Sequence, residues 1–258
     1  MSFSVSQARE YVDFDPNPET RAEVEALLSD VEANQSQIDK LFKSRIAFGT
    51  AGLRAFMGAG YACMNDLVVL QTCQGLCTYL AAQGVASKKI ILGYDHRTKG
   101  SISSRTFARV SAAVFLEYGY EVILLGELTD GDNRYAATPF VPFGLTHYGC
   151  AAGIMVTASH NPKDDNGYKV YWGNGCQIIP PHDIGIAGAI MQSLAPVHSY
   201  GYRDAAWDAT VAKFTANGQL RTGPAVLEEL VDKYMESIVT LRTSPGDNTV
   251  YTAAPKVC

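Results

Sequence analysis

Gly153-Ile154-Met155-Val156-Thr157-Ala158-Ser159-His160-Asn161-Pro162 is the stretch on which both the fold and the site turn. Its first four residues form a short apolar run. Its last six are small, polar or turn-forming. A run of that length bounded by turn formers reads as a buried strand that ends in a loop. In open α/β sheets, ligands sit in the crevice beyond the carboxyl ends of the strands, where such a loop emerges.

Two runs of the same kind precede it, residues 88–95 (KKIILGYD) and 120–125 (YEVILL). Between and before them lie helical patterns. Asn65-Asp66 caps a helix that runs to about Gly84, with Leu67, Leu70, Leu76 and Leu80 on its apolar side. A second helix spans residues 101–118, opened by serine and stopped by Gly119. Strands alternating with helices predict an α/β layer fold. Downstream, residues 168–172 and 176–179 flank Gly173-Asn174-Gly175, a hairpin signal, because glycine and asparagine tolerate the positive φ of a tight turn. The sheet is therefore expected to be mixed.

The predicted architecture is a three-layer α/β/α domain over residues 41–195. A polar, helical N-terminal extension covers residues 1–40, with Val24, Leu27, Leu28 and Val31 at helical spacing. Residues 196–222 are weakly patterned and read as a linker. Residues 223–258 read as the incomplete start of a second, similar domain. In that segment residues 224–241 form an amphipathic helix whose apolar side has no evident partner, and residues 248–252 look like the start of a strand.

Composition narrows the function. The chain has 258 residues, 47% of them hydrophobic, and a net charge of −5. That balance supports a packed core, and it gives no general electrostatic reason to bind nucleic acid or an anionic membrane. No apolar run approaches the length of a bilayer crossing, and the N-terminus lacks the pattern of a signal peptide. The six cysteines show no C-x-x-C pair and no zinc spacing, so they are read as buried free thiols in a reducing, cytoplasmic setting.

On spacing alone, residues 157–162 are either a turn or a loop that presents Ser159 to a ligand. A serine hydroxyl needs a base or a metal to become a useful nucleophile. His160 and Lys169, ten residues after Ser159, are the candidate proton carriers. A Ser/His/Asp hydrolase with Asp164 or Asp165 as third member is disfavoured. Adjacent Ser and His in one loop are badly disposed for the contact, and the G-x-S-x-G elbow is absent.

Residues 157–162 followed by 166–172 resemble the phosphoserine loop of the α-D-phosphohexomutase superfamily. The string 153–183 is most similar to its phosphoglucomutase-2/phosphopentomutase branch, as are residues 48–54 (FGTAGLR), 64–75 (MNDLVVLQTCQG) and 139–143 (PFVPF). The similarity runs over residues 10–195, with the motifs in the same order. It implies a phosphosugar mutase that interconverts glucose 1-phosphate and 6-phosphate, or pentose 1-phosphate and 5-phosphate, through a phosphoserine. Ser159 matches the phosphoserine, whose phosphate would contact Mg²⁺. Lys169 matches a general acid/base and His160 a residue near the serine. Arg54, Thr50 and Asn161 match phosphate-binding positions. Sugar phosphates are the implied partners, and glucose 1,6-bisphosphate the activating donor.

Superfamily members carry further domains with a D-x-D-x-D-R magnesium loop, a sugar-specificity loop and a phosphate-binding loop. None of these follows Ser159, so the resemblance implies a truncated chain that is weakly active or inactive alone. The alternative is a non-catalytic isoform that binds sugar phosphate, self-associates through the incomplete second domain, or associates with a full-length mutase. Asp130-Gly131-Asp132-Asn133-Arg134 resembles the magnesium loop but lacks its third acid and is read as a solvated turn. Arg97, Lys99 and Arg105 form a basic cluster, read as a solvated loop with a phosphate contact as the alternative. His96, His147, His182 and His198 are assigned no role.

Overall fold

The computed structural model describes residues 2–50, 52–126 and 134–241. Three N-terminal helices, α1 (Phe3–Phe14), α2 (Pro18–Leu28) and α3 (Val31–Phe42), precede β1 (Leu53–Phe56) and α4 (Asp66–Ala82). Next come β2 (Lys89–Tyr94), the two-residue strands β3 (Thr98–Lys99) and β4 (Ile102–Ser103), α5 (Ser104–Glu117), β5 (Glu121–Leu125) and α6 (Phe140–Tyr148). The described chain closes with β6 (Ala152–Val156), β7 (Asp165–Trp172), α7 (His182–Met191), α8 (Asp204–Ala216), β8 (Leu220–Gly223) and α9 (Pro224–Val239).

The main sheet has the order β1-β7-β6-β2-β5-β8. Strands β6, β2, β5 and β8 run parallel, and β7 runs antiparallel to both of its neighbours, so the sheet is mixed as predicted. Alternation along the central strands separates two cores. Ile90, Leu92, Val122 and Leu124 face one side, toward α4 and α5, while Ile91, Ile123 and Leu125 face the other, toward α6 and α9. This is the three-layer arrangement. Each fully buried aliphatic side chain contributes about 1.5–3 kcal/mol.

Helix α4 is the spine of the larger core. Asn65 Oδ1 caps it by accepting from Val68 N–H, 3.0 Å away. A Cβ on Gly75 would lie 2.5 Å from Ile190 Cα, so glycine lets α4 and α7 touch. The N-terminal helices are not a detached extension. Val5, Ala8, Tyr11, Val24, Ile38 and Phe42 join the same buried cluster as α4.

Two segments depart from the sequence reading. Residues 196–222 were expected to be a linker, but they contain α8 and β8, and β8 extends the main sheet beside β5. The pattern was faint because α8 is anchored by two large residues, Trp207 and Phe214, with small and polar residues between them. The α9 helix was expected to lack a partner, yet Leu227 and Leu230 are buried in the second core, and Tyr234 meets Phe140 and Phe143 edge-on at 5.3 and 5.2 Å. The expected strand at 248–252 lies outside the described residues.

The hairpin is half formed. Beyond the 173–175 turn, residues 176–179 make one bridge, Tyr171 to Gln177, instead of a strand. Pro180 and Pro181 follow directly and bring no N–H donors to continue a ladder. Cys63, Cys73, Cys77 and Cys150 are buried free thiols and Cys176 is an exposed one. Among the described residues, no helix is long and apolar enough to cross a membrane.

Candidate phosphoserine site

Four segments meet at the carboxyl end of β6. Tyr94 and Val156 are partners in the parallel β2–β6 ladder, and Asp95 N–H donates to Val156 O at 3.1 Å. The loops after β2 and β6 therefore leave the sheet side by side. Antiparallel β7 brings Lys169 opposite Met155, and β1 brings Arg54 opposite Gly167. Two glycines permit this convergence. Gly52 has φ +76° and a Cβ there would sit 1.8 Å from Tyr168 O. A Cβ on Gly167 would sit 2.5 Å from Thr157 O.

Ser159 is exposed and lies at φ +54°, in the left-handed region. That backbone is uncommon for a residue other than glycine and clusters at functional sites. Its N–H donates to Thr157 Oγ1 at 3.0 Å. Its Oγ accepts from Lys169 Nζ at 2.9 Å. Lys169 is half-buried. Burial, then the neighbouring Arg54 guanidinium, push its pKa below the ordinary lysine value, and Asp95 opposes them.

Arg54 is exposed and donates through Nη1 to Asn161 Oδ1 at 3.1 Å, and Asn161 Nδ2 in turn donates to Asp165 Oδ2 at 3.1 Å. Ser159, Lys169, Arg54 and Asn161 are therefore brought together. His160 and Thr50 are not. Both side chains are exposed, and no hydrogen bond among the described residues joins either to Ser159. Thr50 sits at the tip of a turn closed by Gly49 and Gly52. Among the described residues, no hydrogen bond joins His160 to Ser159, Asp164 or Asp165, so no Ser/His/Asp relay is assembled, and the Asp165 carboxylate accepts from Asn161 instead.

The basic cluster is not a solvated loop. Arg97 has a side chain only 10% exposed and is folded beneath the serine loop. It lies between Asp95 and the backbone of residues 159–165. Asp95 Oδ1 accepts from Ser104 Oγ at 2.5 Å, and Ser104 Oγ accepts from Asn166 Nδ2 at 2.9 Å. Lys99 donates to Met57 O at 2.8 Å and stands over the Phe56 ring. Sequence reasoning did not single out Asp95, Ser104 or Asn166. The signal was available for Asp95 and Arg97, because they follow the carboxyl end of the strand next to β6.

Among the described residues, no group of three or more His, Cys, Asp or Glu side chains converges as a metal site. Asp95, beside the loop, is committed to Arg97 and Ser104. The described residues thus do not by themselves fit a Mg²⁺ ion, which takes several oxygen ligands in octahedral geometry. A phosphate on Ser159 would supply one. The Asp130–Asn133 part of the other acidic motif lies outside the described residues.

Comparison with known proteins bears on this site. The family model for phosphoglucomutase/phosphomannomutase, alpha/beta/alpha domain I, matches residues 45–195. The chain belongs to the phosphoglucomutase/phosphomannomutase family. It is 46% identical to the phosphopentomutase of Homo sapiens over 194 residues, which covers 74% of this chain and 30% of that protein. Against the phosphoribomutase of Saccharomyces cerevisiae it is 47% identical over 182 residues, 70% of this chain and 28% of that one. The glucose 1,6-bisphosphate synthase of Homo sapiens is 36% identical over 233 residues, 89% of this chain and 34% of that one. The chain thus spans about three-tenths of the length of these phosphoglucomutase/phosphomannomutase relatives. Among solved structures, a putative phosphomannomutase from Thermus thermophilus aligns with TM-score 0.49 and 22% identity, over 67% of this chain and 36% of that one.

Proposed function

We propose that this chain carries the phosphoryl-accepting serine of a phosphosugar mutase, an intramolecular phosphotransferase acting on sugar 1-phosphates and 5- or 6-phosphates. One observation carries the reading: Lys169 Nζ lies 2.9 Å from the Oγ of an exposed Ser159 held in the left-handed region at the open end of β6. A serine needs a base within hydrogen-bond reach to act as a nucleophile, and Lys169 is within reach. Its lowered pKa brings the neutral amine closer to working pH.

The proton balance follows from that contact. When phosphorylated Ser159 gives its phosphoryl group to a sugar hydroxyl, the Oγ–P bond breaks and a sugar O–P bond forms. The Lys169 ammonium protonates the departing Oγ, and the sugar hydroxyl releases its proton to solvent. In the return step Ser159 Oγ attacks the other phosphate of the bisphosphate, the Lys169 amine takes the serine proton, and the leaving sugar oxygen regains one. Arg54, oriented by Asn161, adds positive charge beside the transferred group.

Glucose and pentose phosphates are the proposed substrates, in keeping with relatives named phosphopentomutase, phosphoribomutase and glucose 1,6-bisphosphate synthase. The test is the intact mass of the 258-residue chain after incubation with glucose 1,6-bisphosphate and Mg²⁺, beside Ser159→Ala. A single phosphate adduct that is absent from Ser159→Ala is the expected result. An unmodified wild-type mass, or an adduct that persists in Ser159→Ala, overturns the assignment of this serine as the acceptor.

A further inference from the structure

A guanidinium has five N–H donors and no acceptor. All five of Arg97 are used inside the protein. Nε donates to Asp95 Oδ2 at 3.2 Å. Nη1 donates to Pro162 O at 2.6 Å and to Asp165 O at 2.9 Å. Nη2 donates to Ser159 O at 2.8 Å and to Asn161 O at 3.1 Å. Four of the five acceptors are backbone carbonyls of the serine loop, and the fifth is a carboxylate held by α5 through Ser104.

From this saturation we infer that Arg97 is a positioning residue: it folds the 159–165 backbone around one planar cation and thereby holds Ser159 Oγ at Lys169. It lines the same cleft as Ser159, where a cation would ordinarily be read as a phosphate ligand. With no donor left over, it binds no substrate phosphate. The carbonyl of Ser159 itself is one of the four gathered, so the clamp acts on the nucleophile's own backbone. Lysine cannot replace it. An ammonium has three donors and no planar fork, and it cannot reach four converging carbonyls and the Asp95 carboxylate together.

The inference rests on the phosphoserine reading for its kinetic consequence, but not for its structural one. The experiment uses the full chain and Arg97→Lys, which keeps the charge. Amide hydrogen exchange over residues 157–166 is measured without any ligand. Phosphate uptake by Ser159 from glucose 1,6-bisphosphate and the dissociation constant for glucose 1-phosphate are measured alongside. Arg97→Lys is expected to speed exchange in the loop about tenfold while leaving the central strands unchanged. Phosphate uptake is expected to slow about a hundredfold, as for a nucleophile displaced by an ångström, with the dissociation constant unaltered. Loop exchange equal to wild type, together with a weakened dissociation constant, overturns the inference and makes Arg97 a phosphate ligand. If the wild type takes up no phosphate, the phosphoserine reading fails and the exchange comparison still decides the clamp. Should Arg97→Lys not fold, Asp95→Asn, which loosens one of the five bonds, is read by the same exchange criterion.

Discussion

Lys169 stands opposite Met155 in the antiparallel β6–β7 ladder, four residues before Ser159 along the other strand, and its side chain spans that offset to reach the serine hydroxyl at 2.9 Å. The proposed base thus sits on a strand paired on both sides, by β1 and β6, while the proposed nucleophile rides on a loop. Replacing Lys169 by methionine is expected to slow phosphate uptake by Ser159 by about 10²–10⁴-fold. The wild-type rate should rise with pH through a midpoint below the ordinary lysine value of 10.5, because burial and Arg54 favour the neutral amine. Arg54→Gln should move that midpoint upward. An unchanged rising limb in Lys169→Met would remove Lys169 from the proton transfer.

Gly52→Ala is expected to damage the site from outside it. The new Cβ would meet Tyr168 O at 1.8 Å, and φ +76° disfavours any side chain. Strand β1 must then part from β7, carrying Arg54 away. A loss of roughly 2–4 kcal/mol in urea unfolding is expected, with slower serine phosphorylation. Wild-type stability and rate together would show that β1 tolerates the shift.

Asp66, at the start of α4, pairs with half-buried Arg203 in the segment leading into α8. Asp66 is fully buried, and Tyr202 OH also donates to it at 3.0 Å. Arg203→Ala leaves that carboxylate without its cation and should cost about 3–5 kcal/mol. The double replacement Asp66→Asn, Arg203→Met should recover part of the loss. Denaturant midpoints of the wild type, Arg203→Ala and the double replacement measure it. A single-variant loss within about 0.5 kcal/mol, as for an ordinary surface change, would mean that the pair is dispensable.

Asp15 supplies a pH-dependent contribution. Its carboxyl is buried, accepts from Thr20 Oγ1 at 2.5 Å and from Asn17 N–H at 3.0 Å, and is pushed up to about 6, chiefly by burial. The folded pKa exceeds the unfolded one, so the native state binds more protons between about pH 4 and pH 6. Stability from this group is present below pH 4 and is lost as pH rises through 6, a swing of about 3 kcal/mol. The Tm of Asp15→Asn relative to wild type should therefore climb by several degrees between pH 4.5 and pH 7.5. A constant difference would place the Asp15 pKa near its unfolded value.

The layered fold was legible because its central strands are continuous apolar runs and α4 carries an unambiguous cap. Ser159 and Lys169 were legible as a pair ten residues apart on either side of a turn toward the sheet. What escaped was chemistry made by strands adjacent in space but distant in sequence. Arg97 lies 62 residues from Ser159, whose carbonyl it binds, and nothing local marks an arginine that serves backbone oxygens instead of a ligand. Segment 196–222 escaped for a different reason. Two large anchors seven residues apart on α8, and a four-residue edge strand, leave almost no periodic signal even though both are fully integrated in the packing.

Asn166, Ser104, Asp95 and Arg97 form one hydrogen-bonded line from β7, through the first turn of α5, to the underside of the serine loop. For anyone interpreting sequence variants, this line enlarges the target. Ser104 and Asn166 are buried and do not contact Ser159 directly, so by proximity alone a Ser104→Ala or Asn166→Ala allele would be scored as a scaffold change. The wiring makes it a change that also reaches the loop carrying Ser159, because Asp95, which holds Arg97 against that loop, is itself held through Ser104 and Asn166.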